Sequence, residues 1–477
     1  MTTWRSRPLP QRADARKDST DHRRPERKPC PQTNALTSEP KKIPQPLSAE
    51  PGTPRTRADI VRREAYDTTV YQYHINMARV LLIAPGVDSG DIGEAWVAYQ
   101  WASRLSARHS VTLLTYRKRG RRSATSQLPD TRVIEWDELP LIGRAERFNS
   151  LFKPWYPDFY RKCRRWIGQA LRNGDIFDVA HQPVPVAMRY PSPLVSSGLP
   201  YVLGPVGGSI ASPPGFVSED TAPWYMDLRK VDAWRLAHDP LLRRSYAEAA
   251  CVLGIAPYVA DALTRVGPRQ FEVMSETGIV SLPTTINRRQ HRLDTKLLFV
   301  GRLIRTKGAR DVIRALDSVR DLLVTLDIVG DGFDRRACEN LAVELRVADR
   351  VTFHGSLPRN QVDTFYQEAD VFVFPSYREP GGNVPFEAMA YGLPMIVADR
   401  GGPGYVITAE CGIRVTPTEP AQFARDIAAG IRVLAERPAL RIAMGEAARR
   451  RVIEVGTWHQ RMLQIDEVYA RISRPSH

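Results

Sequence analysis

The sequence predicts an α/β protein built from two Rossmann-like, doubly wound domains. Three observations predict this. Short apolar runs of strand length alternate with amphipathic segments of helix length from Arg79 onward. Glycine-bearing turns follow the runs, as in RVLLIAP before DSGDIGE (79–94) and LLFVGRL before IRTKG (297–308). A chain of 477 residues is also more than one hydrophobic core holds. We expect a first domain at 76–280, a polar linker at 281–294, a second domain at 295–456 and a last helix at 457–477.

Composition narrows the partners. The chain carries 68 Lys and Arg against 53 Asp and Glu, a formal net charge of +15. That balance favours acidic partners: nucleic acid, anionic membrane or phosphorylated ligands. Cys30, Cys163, Cys251, Cys338 and Cys411 lie far apart, without metal-ligating or redox spacing, which fits a reducing cytoplasm. No apolar run approaches the roughly 18 residues of a membrane span. The first ten residues are polar and show no signal segment.

Residues 1–75 are rich in proline, from Pro8 to Pro54, with basic residues scattered among them. They lack apolar periodicity and read as a disordered tail. An inert tail outweighs a basic arm for nucleic acid or membrane. Met77 stands directly before the first strand, so a native start near Met77 is expected.

The first domain then runs in order. RVLLIAP (79–85) is a buried-type strand, Ala95–Ala107 a helix, VTLLTY (111–116) a strand and RVIEW (132–136) another. The helix from Phe159 places Phe159, Cys163, Trp166, Ile167, Ala170 and Leu171 among Arg161, Lys162, Arg164 and Arg165. A core helix with a solvated basic face outweighs an interfacial helix meeting anionic lipid. IFDVAHQP (176–183) is a strand ending near His181. Ligands of open α/β sheets sit beyond the carboxyl ends of the strands, which makes His181 a candidate. YVLGPVGGSI (201–210), ACVLGIAP (250–257) and Phe271–Thr277 supply further strands, with a helix from Tyr258.

In the second domain LLFVGRL (297–303) is the first strand. Arg302 and Lys307 follow on the loop before a helix at Ala309. Two cations beside a helix start can grip a diphosphate and stabilise a leaving phosphate. Strands VTLDIV (324–329) and VTFHGSL (351–357) come next, with helices after each. The stretch from Phe372 to Val397 then reads strand, loop, helix, strand. Asn383 is a plausible N-cap, Pro385 suits the first turn, and Gly392 with Pro394 ends the helix. Gly381 and Gly382 allow close approach of a ligand to the backbone, and the amides near Asn383 and Val384 favour an anion. Glu379 and Glu387 bracket the loop. A carboxylate there suits neutral hydroxyls better than phosphate. Together these point to a nucleotide-sugar, against the bland alternative of a capped helix with a solvated Glu. ADRGGPGYVI (398–407) reads as a Gly turn, and helices follow at 422–437, 440–455 and 458–472.

The pieces FVGRLIRTKG (299–308), LDIVGDG (326–332), VTFHGSLP (351–358), ADVFVFPS (369–376) and the pair Glu379 and Glu387 before AMAYGLP come in one order. This pattern resembles the retaining glycosyltransferases of family four, which have the GT-B fold. The resemblance covers most of residues 75–470. It implies two lobes facing a cleft, with the donor on the second lobe and the acceptor on the first. It implies catalytic roles for His181, which would orient the sugar, for Arg302 and Lys307 on the diphosphate, and for Glu379 on the sugar. Donor-binding positions would be Gly90, Gly93, Gly301, Gly355, Gly381, Gly382, Asn383, Val384 and Glu387, the last on the ribose. The family's adjacent glycines after the first strand are not intact here, and its acid near Tyr405 is missing. The last helix would return to the first lobe.

The expected reaction moves a sugar from a nucleotide-sugar donor to a glycan or lipid-linked acceptor hydroxyl, with retention and front-face attack. No metal and no cofactor is expected, because Arg302 and Lys307 would neutralise the leaving group. A cytoplasmic place, peripheral to the anionic inner face of the membrane, fits the charge. Two rivals stay open: a non-catalytic sugar-nucleotide-binding subunit and another GT-B enzyme such as a nucleotide-sugar epimerase. Nucleic-acid binding lacks any recognition motif.

Overall fold

The computed structural model describes residues 77–91, 93–138, 153–208, 210–219, 230–284, 286 and 294–473. The tail at 1–75 and much of the 281–294 linker lie outside the described residues.

The first lobe is a seven-stranded parallel sheet. Its elements are β1 (Arg79–Ile83), α1 (Glu94–Ser106), β2 (Ser110–Arg117), α2 (Ala124–Gln127), β3 (Arg132–Asp137), α3 (Tyr156–Arg172), β4 (Val179–Gln182), β5 (Tyr201–Val206), α4 (Lys230–His238), α5 (Pro240–Ala247), β6 (Cys251–Gly254), α6 (Tyr258–Leu263) and β7 (Phe271–Val273). The strand order is 3-2-1-4-5-6-7. The central strands β4, β5 and β6 are buried at every position, as a parallel sheet covered on both faces requires.

The second lobe repeats the plan with six strands. They are β8 (Thr295–Val300), β9 (Val324–Val329), β10 (Val351–Gly355), β11 (Val371–Phe374), β12 (Met395–Ala398) and β13 (Gly412–Val415). The helices are α7 (Ala309–Asp317), α8 (Arg335–Glu344), α9 (Arg359–Glu368), α10 (Val384–Ala390), α11 (Gly401–Val406), α12 (Pro420–Glu436), α13 (Pro438–Val455) and α14 (Trp458–Ile472). The order 10-9-8-11-12-13 reverses direction between β8 and β11. That switch point opens a crevice at the carboxyl ends of the two strands. The loops after β8 and β11 carry Arg302, Lys307, Glu379, Gly381 and Gly382.

The last helix, α14, packs on the first lobe. Trp458, Met462, Ile465, Val468 and Tyr469 share a buried cluster with Val80, Leu82, Trp101 and Leu105. Asp466 of α14 accepts from Arg108 Nε and pairs with His109 Nε2, each at 2.9 Å.

Two local expectations are corrected, and the core-helix reading of α3 holds. The run at 398–407 is not an open turn, since Gly401–Val406 forms α11. The glycines there are required by close packing: a Cβ on Gly402 would fall 2.8 Å from Gly381 Cα. The β4 strand is shorter than 176–183; Ile176 is 62 % exposed and Pro183 cannot donate to the ladder. The apolar face of α3 is spent inside the lobe, where Phe159, Cys163 and Ile167 pack with Leu81, Ile83 and Tyr116. What α3 offers outward is Arg161, Arg164 and Arg165. Among the described residues no helix is long and apolar enough to cross a membrane. Cys163, Cys251, Cys338 and Cys411 are buried free thiols.

Candidate active site

The site grows from the β8–α7 connection. Gly301 lies under Phe374, and a Cβ there would stand 3.3 Å from that ring. Arg302 is exposed and pairs with no carboxylate among the described residues. Arg305–Lys307 form a single 3₁₀ turn closed by Gly308 at φ +83°, the left-handed conformation glycine tolerates. This turn lifts Lys307 onto Glu379, with which it forms an ion pair. The Lys307 ammonium also lies 5.3 Å from the Phe374 ring centre. Both side chains are largely shielded, which strengthens the pair relative to one at the surface.

The β11–α10 loop supplies the rest. Gly382 has φ +99°, and a Cβ there would come within 3.1 Å of the Glu379 carboxylate. Asn383 occupies the N-cap position of α10, but its side chain does not cap the helix; its backbone is already helical. Its Oδ1 is instead enclosed without a hydrogen-bond partner. Val384 opens α10. Its amide belongs to the helix start, where internal partners are lacking. Glu387 accepts from Tyr366 Oη and from Arg359 Nη2, each at 3.1 Å. Burial raises the pKa of Glu387, and Arg359 opposes that rise. Arg359 also reaches Trp96 of the first lobe, 5.9 Å from its ring centre. Gly355, at φ +71°, closes β10 nearby in sequence to His354, whose Nε2 pairs with Asp327 at 2.7 Å.

The first lobe departs from expectation at three positions. His181 is fully buried. Its Nδ1 meets Tyr469 Oη at 2.7 Å and its Nε2 meets Gly204 O at 2.6 Å. Trp101 packs edge-on against the ring at 5.2 Å. Burial pushes its pKa down to about 4, so the ring is neutral. Both nitrogens are engaged within the lobe, and His181 cannot orient a sugar in this arrangement. The cause is strand geometry: on β4 its side chain points towards α1 and α14 instead of out of the strand end. Gly90 and Gly93 are also otherwise engaged. The Gly90 amide donates to Asp88 Oδ1 at 2.9 Å, and the Gly93 amide to Asp91 Oδ1 at 3.1 Å. A diphosphate there would compete with two carboxylates that already hold those amides.

Several residues at the site carry no signal that isolated them in the sequence. Arg305, between the expected cations, is buried and pairs with Asp311 at 2.6 Å and with Glu219 at 2.8 Å. Burial works against its charge, but Asp311 and Glu219 more than offset it and raise its pKa. Glu219 arrives from residues 210–219, a strap of the first lobe laid on the second. Phe216 of that strap is buried in the second lobe's core beside Tyr377 and Phe423. Arg378 Nε donates to Ile210 O at 3.1 Å, holding the strap next to Glu379. Glu276, in the ETGI segment, lies against Gly381.

Comparison with known proteins agrees with the two-lobe fold. Residues 284–451 match the family model described as glycosyl transferases group 1. A glycogen synthase of Mycobacterium tuberculosis is 28% identical over 301 residues, covering 62% of this chain and 67% of the relative. Sucrose-phosphate synthase from Thermosynechococcus elongatus superposes with a TM-score of 0.59 at 22% identity, covering 83% of this chain and 98% of that one. Anabaena HepE, solved in complex with UDP, superposes with a TM-score of 0.56 at 17% identity, covering 83% and 100%. With glycine- and charge-bearing loops at the switch point of the second of two Rossmann-like lobes, the chain has the GT-B fold, and its second lobe matches the glycosyl transferases group 1 family.

Proposed function

We propose that the protein moves a glycosyl group from a nucleoside diphosphate sugar to an acceptor hydroxyl, with retention of configuration, in assembly of a cell-surface polysaccharide or glycolipid. The observation that carries this reading is the Lys307–Glu379 pair, which joins the two loops carrying Arg302 and Gly381–Gly382 at the switch point of the second sheet. Arg302 and Lys307 hold the diphosphate, Glu379 accepts from sugar hydroxyls, and Glu387 accepts from the ribose. The bond from the anomeric carbon to the diphosphate oxygen breaks as the acceptor oxygen attacks from the same face. The acceptor proton passes to the departing phosphate oxygen. Positive charge from Arg302 and Lys307 stabilises that oxygen, so the proposal assigns no metal and no cofactor.

The UDP named in the HepE complex supports a nucleotide donor, and the name of the glycogen synthase relative supports a polysaccharide product. A peripheral membrane place rests on the net charge of +15 and the outward arginines of α3. The free thiols fit the cytoplasm.

The test is a thermal-shift series on the full chain with UDP, GDP, ADP and their sugar conjugates, repeated on Arg302→Ala. A ligand that binds only the folded state raises the melting temperature. One diphosphate should do so in the wild type and lose the effect in the variant. The anomer formed on an acceptor, read by NMR, then tests retention. No shift with any nucleotide overturns the proposal. Binding without turnover on any acceptor favours the non-catalytic subunit.

A further inference from the structure

The chain leaves the first lobe through Ser275–Ile279, which runs against the segment that re-enters it. The Ile279 amide donates to Gly456 O at 2.8 Å, and the Trp458 amide to Ile279 O at 3.2 Å. A Cβ on Gly278 would stand 2.8 Å from the Thr457 carbonyl carbon, so the two crossovers are in direct backbone contact. Glu276 lies in this crossover. Its carbonyl accepts from Trp101 Nε1 at 3.1 Å, which pins its backbone to the first lobe.

Its side chain goes the other way. A Cβ on Gly381 would fall 2.4 Å from Glu276 Oε2 and 2.5 Å from Oε1. A Cβ on the next residue, Gly382, would fall 3.1 Å from Glu379 Oε1. The Gly381–Gly382 backbone therefore touches two carboxylates, one from each lobe, and a side chain at 381 would displace the Glu276 carboxylate. The Gly382 amide is directed at the Glu276 carboxylate. Glu276 Oε2 is enclosed without a hydrogen-bond partner. The charged groups facing Glu276 are Glu379 of the loop and Arg461 of α14; Tyr258 of α6 lies within their field. Burial and Glu379 raise the pKa of Glu276. A carboxylate kept in such a place, with one oxygen unpartnered, calls for a reason other than stability.

We propose that Glu276 is a positioning residue for the donor-sugar subsite. Through Gly381–Gly382 it sets the loop that carries Glu379, Asn383 and Val384, and it ties that loop to the crossover between the lobes. The inference rests on the reading of residues 379–387 as the donor loop. It separates the two halves of the donor: the nucleoside diphosphate is held by Arg302, Lys307 and Glu387 without help from Glu276, whereas the sugar depends on it.

The test uses the full chain as wild type, Glu276→Asp and Glu276→Gln. Affinities for UDP, GDP, ADP, UDP-glucose, GDP-mannose and ADP-glucose are measured by calorimetry, with melting temperatures alongside. Asp keeps the charge but withdraws the carboxylate from Gly381, whereas Gln keeps the length and an acceptor for the Gly382 amide. Glu276→Asp should lose about ten-fold in affinity for the sugar conjugate and stay within about two-fold for the diphosphate. Glu276→Gln should recover most of the lost affinity. Wild-type conjugate affinity in Glu276→Asp overturns the inference. So does a parallel loss of diphosphate and conjugate in both variants with a fall in melting temperature, which marks a merely structural role. If the wild type binds none of the six nucleotides, the reading of the site falls and takes this inference with it. If the wild type binds and Lys307→Ala does not, while Glu276→Asp is unchanged, the inference alone falls.

Discussion

Lys307 ends on the carboxylate of Glu379, joining the loop after β8 to the loop after β11 across the switch point of the second sheet. In the proposed reaction one group holds phosphate and the other sugar hydroxyls, and the ion pair fixes each against the other. Lys307→Ala and Glu379→Ala should each lower kcat by about 100-fold, the scale of a lost electrostatic stabiliser. Each variant should remain folded by circular dichroism. Near-normal turnover in either variant would remove the pair from the chemistry.

Arg305 makes a different prediction, because its role is to hold the strap. Its guanidinium is enclosed with Asp311, and Glu219 brings in the first lobe. Removing one member of a buried pair leaves an uncompensated charge and costs about 3–5 kcal/mol. Arg305→Ala should lower the unfolding free energy by an amount of that order, read as a fall in the urea midpoint at unchanged slope. The double variant Arg305→Met with Asp311→Leu should recover most of the loss, since no buried charge is left alone. An unchanged midpoint in Arg305→Ala would show that the pair does not brace the strap.

Gly401 is at φ +62°, and a Cβ there would lie 2.0 Å from Glu379 O. An L-residue in the left-handed region costs roughly 1–2 kcal/mol by itself. The contact is with backbone, so it is relieved only by moving Glu379. Gly401→Ala should therefore depress turnover far more than its fall in melting temperature implies. Equal turnover per folded molecule would refute the coupling of α11 to the donor loop.

The contact of α14 with the first lobe carries a pH dependence. Burial pushes the Asp466 carboxyl up, but hydrogen bonds from His109 and Arg108 outweigh it and hold the pKa below the ordinary value. The folded state thus favours the ionised form. Its contribution is present above the unfolded pKa of about 3.9 and is lost as pH falls through the lower folded value. Asp466→Asn should cost about 1–3 kcal/mol at pH 7, the range for leaving buried partners unsatisfied. The gap between wild type and variant should close below pH 4. A gap that persists there, measured by urea unfolding at each pH, would contradict the assignment.

The expected two-lobe fold is the observed one, and the reason is physical. The central strands of a covered parallel sheet must be apolar at every position, so VLLI, LLFV, VFVF and MIVA announce themselves. Switch-point loops must carry the glycines and charges that strands exclude, so Arg302, Lys307, Glu379, Gly381 and Gly382 could be read from their place between strand and helix. The Gly turn expected at 398–407 is instead helical, and its glycines let it pack closely on Glu379 and Gly381.

What the sequence determined by itself was therefore the order of elements and the loops that gather at the second switch point, because both follow from local pattern. Tertiary structure alone decided which way side chains face and which distant segments meet. It turned His181 inward to Tyr469 and Gly204 and laid Glu276 against Gly381. These contacts join residues up to 288 positions apart, as His181 and Tyr469 are. No local periodicity encodes such a pairing, because it is set by how two finished lobes and a returning helix fill the space between them.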